Sequence, residues 1–202
     1  FEFLVEPLVK VLPEDSHLIY TSLPEAFITY LKVAFFAGLV LAAPVIFYQI
    51  WKFVMPGLYE NERRYVVPFM LIATFFFLTG VSFAYFVLFP YGFQFFLGFQ
   101  TDSIAAMPAM KDYLGFVMKL MIAFGLSFEL PVVMFFLAKM GLVSPEGLKK
   151  QRKYAILIVF IVAAILTPPD IISQIMLAIP LLVLYELSIW VTYFVRKRKE
   201  TA

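Results

Sequence analysis

The chain has 202 residues, of which 63% are hydrophobic, 19% aromatic and 15% charged, with a mean hydropathy of +0.92. A soluble domain is about 45–50% apolar and about 25% charged, so this composition excludes a water-soluble globule and describes an integral membrane protein with little room for a soluble domain. The absence of cysteine excludes disulfides, thiol catalysis and cysteine-ligated metal centres, one histidine (His17) leaves no histidine cluster, and the net charge of +2 matters less than where the charges sit.

The chain opens on Phe1, with no basic n-region and no cleavage pattern, and reads as part of something longer at its N-terminus. Residues 1–22 are mixed and proline-bearing (Pro7, Pro13) and are expected to form a cap on the outer surface. Ser22-Leu23-Pro24-Glu25 is a capping-box pattern that opens the first apolar stretch, Leu23–Ile50. A loop, 51–64, leads to the second stretch, Tyr65–Phe89, and an aromatic segment, 90–113, leads to the third, Leu114–Met140. A second charged loop, 141–153, precedes the fourth, Tyr154–Thr167, which stops at Pro168-Pro169. The last stretch, Ile171–Val195, runs into the basic tail 196–202. Four stretches reach the roughly 20 residues that cross hydrocarbon; the fourth, at about 21 Å, falls short of a core about 30 Å thick.

Charge placement decides whether the short stretch crosses. Lys52, Arg63 and Arg64 follow the first stretch, Lys139, Lys149, Lys150, Arg152 and Lys153 follow the third, and Arg196, Lys197, Arg198 and Lys199 follow the last. The alternate loops hold only Lys10 and Lys111. Cytoplasmic loops collect Lys and Arg, and these clusters share one side only if the short stretch spans. The expectation is an all-α polytopic bundle forming a single transmembrane domain. Five helices cross in this chain, its start lies outside, its tail lies inside, and one further helix precedes Phe1.

Three places could carry chemistry. Glu129 lies about fifteen residues, roughly 22 Å, into its stretch. A charged carboxylate at that depth costs about 2.5–3.5 kcal/mol on insertion scales, so it must be protonated, hydrated or paired. Pro131 cannot donate to the carbonyl of Ser127, so "SFELP" gathers a carboxyl, a hydroxyl and a carbonyl at one point. That point is either a protonated Glu bonded to a neighbouring helix or a polar groove for a ligand or partner. In "LTPPDIISQ", Asp170 can cap the last helix, while Thr167 and Gln174 can offer hydrogen bonds to a partner helix. In the first inner loop, Glu60 and Glu62 either pair with Arg63 and Arg64 or present a carboxylate to a basic ligand. Glu186 is a further intramembrane carboxyl, open to a structural or a functional reading.

The strings "LAAPVIFYQIWKFVMPGLYENERR", "AFGLSFELPVV", "SPEGLKKQRKY", "LTPPDIISQ" and "LAIPLLVLYE" resemble the TatC family, the largest subunit of the twin-arginine protein translocase. The resemblance runs from the outer segment to the tail. It implies a fold of six helices with a short fifth and a kinked sixth, so that the first is missing here. It implies transport of folded proteins across the cell inner membrane on the proton-motive force, with no cofactor and no nucleotide hydrolysis. Phe53 and Glu62 match the positions that recognise twin-arginine signal peptides. Glu129 matches the intramembrane glutamate of the translocation groove, and Pro7 matches a sensitive proline of the outer cap. Thr167 and Gln174, with Asp170 between them, match the docking region for the single-helix subunits TatA and TatB. Self-association in a larger complex is also implied.

Two other classes remain beside a receptor and assembly platform. A small proton-coupled solute transporter would use Glu129 as its proton carrier, but the sequence offers no paired broken helices or inverted repeats. A scaffold without a ligand is the third class.

Overall fold

The computed structural model describes residues 1–13, 17–54, 66–99 and 107–200, with side chains through Val195. Nine α-helices follow in chain order among them: α1 Glu2–Val9, α2 Leu23–Val54, α3 Val66–Phe83, α4 Phe89–Leu97, α5 Met110–Phe128, α6 Leu130–Met140, α7 Pro145–Lys150, α8 Arg152–Leu166 and α9 Ile171–Glu200. A π-helical turn, Ala84–Leu88, joins α3 to α4. The only β contact among the described residues is a single parallel bridge between Ile19 and Ala109.

Four helical runs are long and apolar enough to cross a membrane: Leu23–Val54, Val66–Leu97, Met110–Met140 and Ile171–Val195. The first three extend the corresponding stretches of the sequence, and the fourth coincides with the last of them. The second continues past Phe89 to Leu97, through Pro90. Proline lacks the N–H that an α-helical interior requires, and here it sits in the first turn after the wide π turn, where the hydrogen-bond ladder has already slipped. Pro44 and Pro180 likewise lie inside uninterrupted helices, α2 and α9. The short fourth stretch is α8, with 15 residues, or about 22 Å.

The chain divides into two compact units. The first comprises residues 1–42 and 80–124. Here α1 packs on α4, burying Leu4, Val5 and Leu8. The rings of Tyr85, Phe89, Phe93 and Tyr113 follow one another at centroid separations of 6.4, 5.4 and 5.3 Å. Phe3 of α1 stacks on Tyr85 at 4.2 Å. Leu114, Val117 and Phe124 on one face of α5 are fully buried.

The second unit comprises residues 43–79 and 125–202. Its centre is α9, with α6 and α8 packed along it. Leu177, Ala178, Leu181, Leu184, Ser188 and Ile189 recur at helical spacing and form the buried stripe of α9. Trp51 at the end of α2 packs against Phe136 at 4.8 Å and Phe69 at 5.1 Å. Gly141, at φ 82°, ends α6 in the left-handed conformation that glycine adopts without a Cβ penalty. Ser144 then opens α7, its hydroxyl accepting from Gly147 N at 3.1 Å.

Candidate functional site

In the first unit the N-terminal helix α1 is fastened by tyrosine hydroxyls. Pro7 is buried in the short helix α1, and it cannot donate the N–H that would normally reach the carbonyl four residues earlier, at Phe3. Tyr85 Oη donates to that carbonyl instead, at 2.7 Å. Tyr113 Oη donates to the carbonyl of Leu4 at 2.8 Å. The proline thus creates an acceptor, and the cap is held by the side chain that fills it. On the solvent side, the Lys10 ammonium bonds Glu6 at 2.7 Å and holds that carboxyl below its ordinary range.

Glu25 is buried and fully engaged. Its Oε2 accepts from Thr21 N at 2.8 Å, Thr21 Oγ1 at 2.9 Å and Ser22 N at 3.3 Å; its Oε1 accepts from Lys111 N at 3.2 Å. One carboxylate therefore closes the start of α2 and satisfies an orphan donor in the first turn of α5. The neighbouring donor, Met110 N, reaches the carbonyl of Ile19 at 2.8 Å. The capping-box pattern in the sequence marked the local half of this arrangement; nothing in it marked Lys111.

In the second unit, Glu129 is the single residue between α5 and α6, and it is 7% exposed. The local hydrogen bonds explain the break. Glu129 N donates to Leu126 O, three residues back, at 3.1 Å, and Glu129 O accepts from Val133 N at 2.9 Å. The helix tightens for one turn where Pro131 withholds its donor. The carboxyl lies against the backbone of Phe77, and Oε1 has no hydrogen-bond partner among the described residues. Two other buried side-chain oxygens share that condition, Thr29 Oγ1 and Thr74 Oγ1, and neither is ionisable. An apolar pocket of about 260 Å³ begins one step along α6, lined by Pro131, Val132 and Phe135 with Phe69, Ile72, Phe76 and Val191.

Phe53 stands at the last turn of α2 and is 87% exposed. Glu62 lies outside the described residues, as do Glu60, Arg63 and Arg64. The three polar residues of the last turn are brought together between α8 and α9. Thr167 precedes Pro168 and takes an extended conformation, φ −101° and ψ 160°, which ends α8. Its hydroxyl donates to Ala163 O at 2.8 Å. Asp170 caps α9, accepting from Ser173 N at 2.7 Å and from the Ser173 hydroxyl. These two bonds hold its carboxyl below the usual aspartate range. Gln174 Nε2 donates to Phe160 O at 3.0 Å, tying α9 back to α8. Thr167 and Gln174 each spend a donor inside the chain, and both remain half-buried.

Glu186 is paired across helices. Arg152, the first residue of α8, bonds its Oε2 through Nη2 at 2.6 Å. The sequence placed both charges but did not pair them, because the partners are 34 positions apart.

Four long apolar helical runs among the described residues, with a carboxyl withdrawn inside one of them, define a polytopic helical membrane protein. A family model described as "Sec-independent protein translocase protein (TatC)" matches residues 1–180. The Sec-independent protein translocase protein TatC of Desulforapulum autotrophicum is 56% identical over 201 residues, covering 100% of this chain and 74% of that protein. The TatC of Escherichia coli is 42% identical over 194 residues, 96% of this chain and 75% of that protein. A crystal structure titled as the twin arginine translocase receptor TatC superposes with a TM-score of 0.87 at 40% identity, covering 96% of this chain and 86% of that one. The chain belongs to the TatC family, and its function is protein translocation.

Proposed function

We propose that this chain is the receptor and assembly platform of a twin-arginine translocase. Phe53 and Glu62 bind the signal peptide of a folded cargo, and TatA and TatB helices dock at the turn carrying Thr167, Asp170 and Gln174. The observation that carries the reading is Glu129: a carboxyl buried within a span, with one oxygen left for a partner that the described residues do not supply. Intramembrane ionisable groups of this kind are expensive and mark functional paths. Phe53 supports the reading from the other end, since an exposed ring beside the first inner loop can seat the apolar flank of an arginine motif. The cap residue Pro7 acts indirectly, through the hydroxyl of Tyr85.

In this reading the chain lies in the plasma membrane as one domain with five crossings, the short α8 being the fourth of them. Its lipid-side apolar residues, among them Ile156, Leu157, Ile158 and Ile165, are exposed along its length. The loops 51–64 and 141–153 and the tail 196–202 face the cytoplasm; the cap 1–22 and segment 90–113 face outward. A short α8 then places its turn below the outer headgroups and thins the bilayer there.

A binding assay with a twin-arginine peptide and a Lys-Lys control tests the receptor role. Glu62→Ala abolishes binding of the twin-arginine peptide, because a carboxylate matches guanidinium bidentately, and Phe53→Ala weakens it. Equal affinity of wild type and Glu62→Ala refutes the assignment.

A further inference from the structure

A second charged feature lies in the α7–α9 region, away from Phe53, Glu129 and the last turn in the chain. Lys149, Arg152, Ile189, Trp190 and Tyr193 line a pocket of about 370 Å³. Its frame is fixed. Tyr185 Oη donates to Leu148 O at 2.8 Å and pins α7 against α9, and Leu148 is buried, so the adjoining Lys149 is held at that face. Arg152 is anchored by Glu186 through Nη2. A guanidinium carries five N–H donors, and Arg152 has no other acceptor among the described residues. No carboxylate pairs with Lys149 among them either. Trp190 and Tyr193 are exposed and sit in the final turns of the span that ends at Val195, at the level where aromatic side chains meet headgroups.

We propose that this pocket binds the headgroup of an anionic phospholipid. Lys149 and Arg152 receive the phosphate, Arg152 with the part of its fork that Glu186 leaves, and Trp190 and Tyr193 flank the glycerol region. Four cations, Lys149, Lys150, Arg152 and Lys153, fall within five positions at this end of the span, and basic pockets between spanning helices are suited to anionic headgroups. The same charge repels a peptide bearing two arginines, which separates this pocket from the signal-peptide site. The ligand is a membrane lipid rather than free phosphate because two of the five lining side chains are interfacial aromatics and a third, Ile189, is apolar.

The test is a lipid titration of the purified full chain in neutral detergent, read by native mass spectrometry, with phosphatidylglycerol, cardiolipin, phosphatidylcholine and inorganic phosphate as probes. Phosphatidylglycerol and cardiolipin are expected to stay bound, phosphatidylcholine to be lost, and inorganic phosphate to compete poorly. Lys149→Gln lowers the affinity for the anionic lipids about fivefold, and Lys149→Arg restores it. Lys153→Gln removes the same charge one residue from Arg152 but outside the lining and leaves affinity near wild type. Equal losses in Lys149→Gln and Lys153→Gln show a diffuse surface potential and overturn the site. Retention of phosphatidylcholine, displacement by inorganic phosphate, or a Lys149→Gln effect on peptide but not on lipid also overturns it.

Discussion

Glu25 and Glu129 are two buried carboxyls treated in opposite ways. At the start of α2, Glu25 accepts four hydrogen bonds, two of them from the backbone donors of Thr21 and Ser22 and one from Lys111 of α5. At the junction of α5 and α6, Glu129 has an oxygen with no partner among the described residues. Burial alone does not separate them, since both are below one tenth exposed. What separates them is satisfaction. A carboxylate that closes four donors fixes the chain, whereas one left open carries a desolvation cost of about 1–3 kcal/mol that the fold does not recover. The first is a fastening, and the second leaves an oxygen that the described residues do not satisfy.

The largest expected effect is on transport. Glu129→Leu leaves insertion and thermal stability nearly intact, because replacing a poorly satisfied buried polar group by an apolar one is often neutral or favourable, while export of folded cargo into vesicles collapses. If this variant fails to fold, Glu129 is a fastening like Glu25 and the contrast is broken. Glu129→Gln sharpens it. Export partly retained assigns hydrogen bonding to the groove, and export as low as in Glu129→Leu assigns a need for charge.

Glu25→Ala gives the converse result. It strands four donors, and thermal unfolding in detergent should register a loss well above that of an ordinary surface change. A loss below about 0.5 kcal/mol, the level of an ordinary surface change, would remove Glu25 from the comparison.

A smaller effect belongs to the cap. Tyr85→Phe removes the donor to Phe3 O and should cost about 1 kcal/mol. In a Pro7→Ala background, residue 7 regains an N–H that can serve the same carbonyl, so the cost of Tyr85→Phe shrinks. A double-mutant cycle measures that coupling, expected at about 0.5–1 kcal/mol. Zero coupling dissociates Pro7 from Tyr85.

The smallest is at Asp170. Its pKa is depressed by the bonds from Ser173, so its contribution is present above the unfolded-state value, about 3.9, and is lost as pH falls through the lower folded value. The protection of the first-turn amides of α9, taken as the intrinsic amide rate at each pH divided by the exchange rate, should therefore fall in acid, and Asp170→Asn should flatten that dependence.

The membrane class, the four long helical runs and the stop of α8 at Thr167 were legible in the amino-acid order, because hydropathy, proline and capping residues act within a few neighbours. It also singled out Glu129, since a carboxyl inside an apolar run is visible without coordinates. The extension of the second run to Leu97 was not legible, because a π turn that accommodates Pro90 has no compositional mark. Which polar groups are satisfied depends on the folded chain. Lys111 reaches Glu25 across 86 positions, Tyr85 reaches Phe3 across 82 and Arg152 reaches Glu186 across 34. Periodicity reports which face of a helix is apolar but not what stands opposite it, and hydrogen bonds are made by what stands opposite.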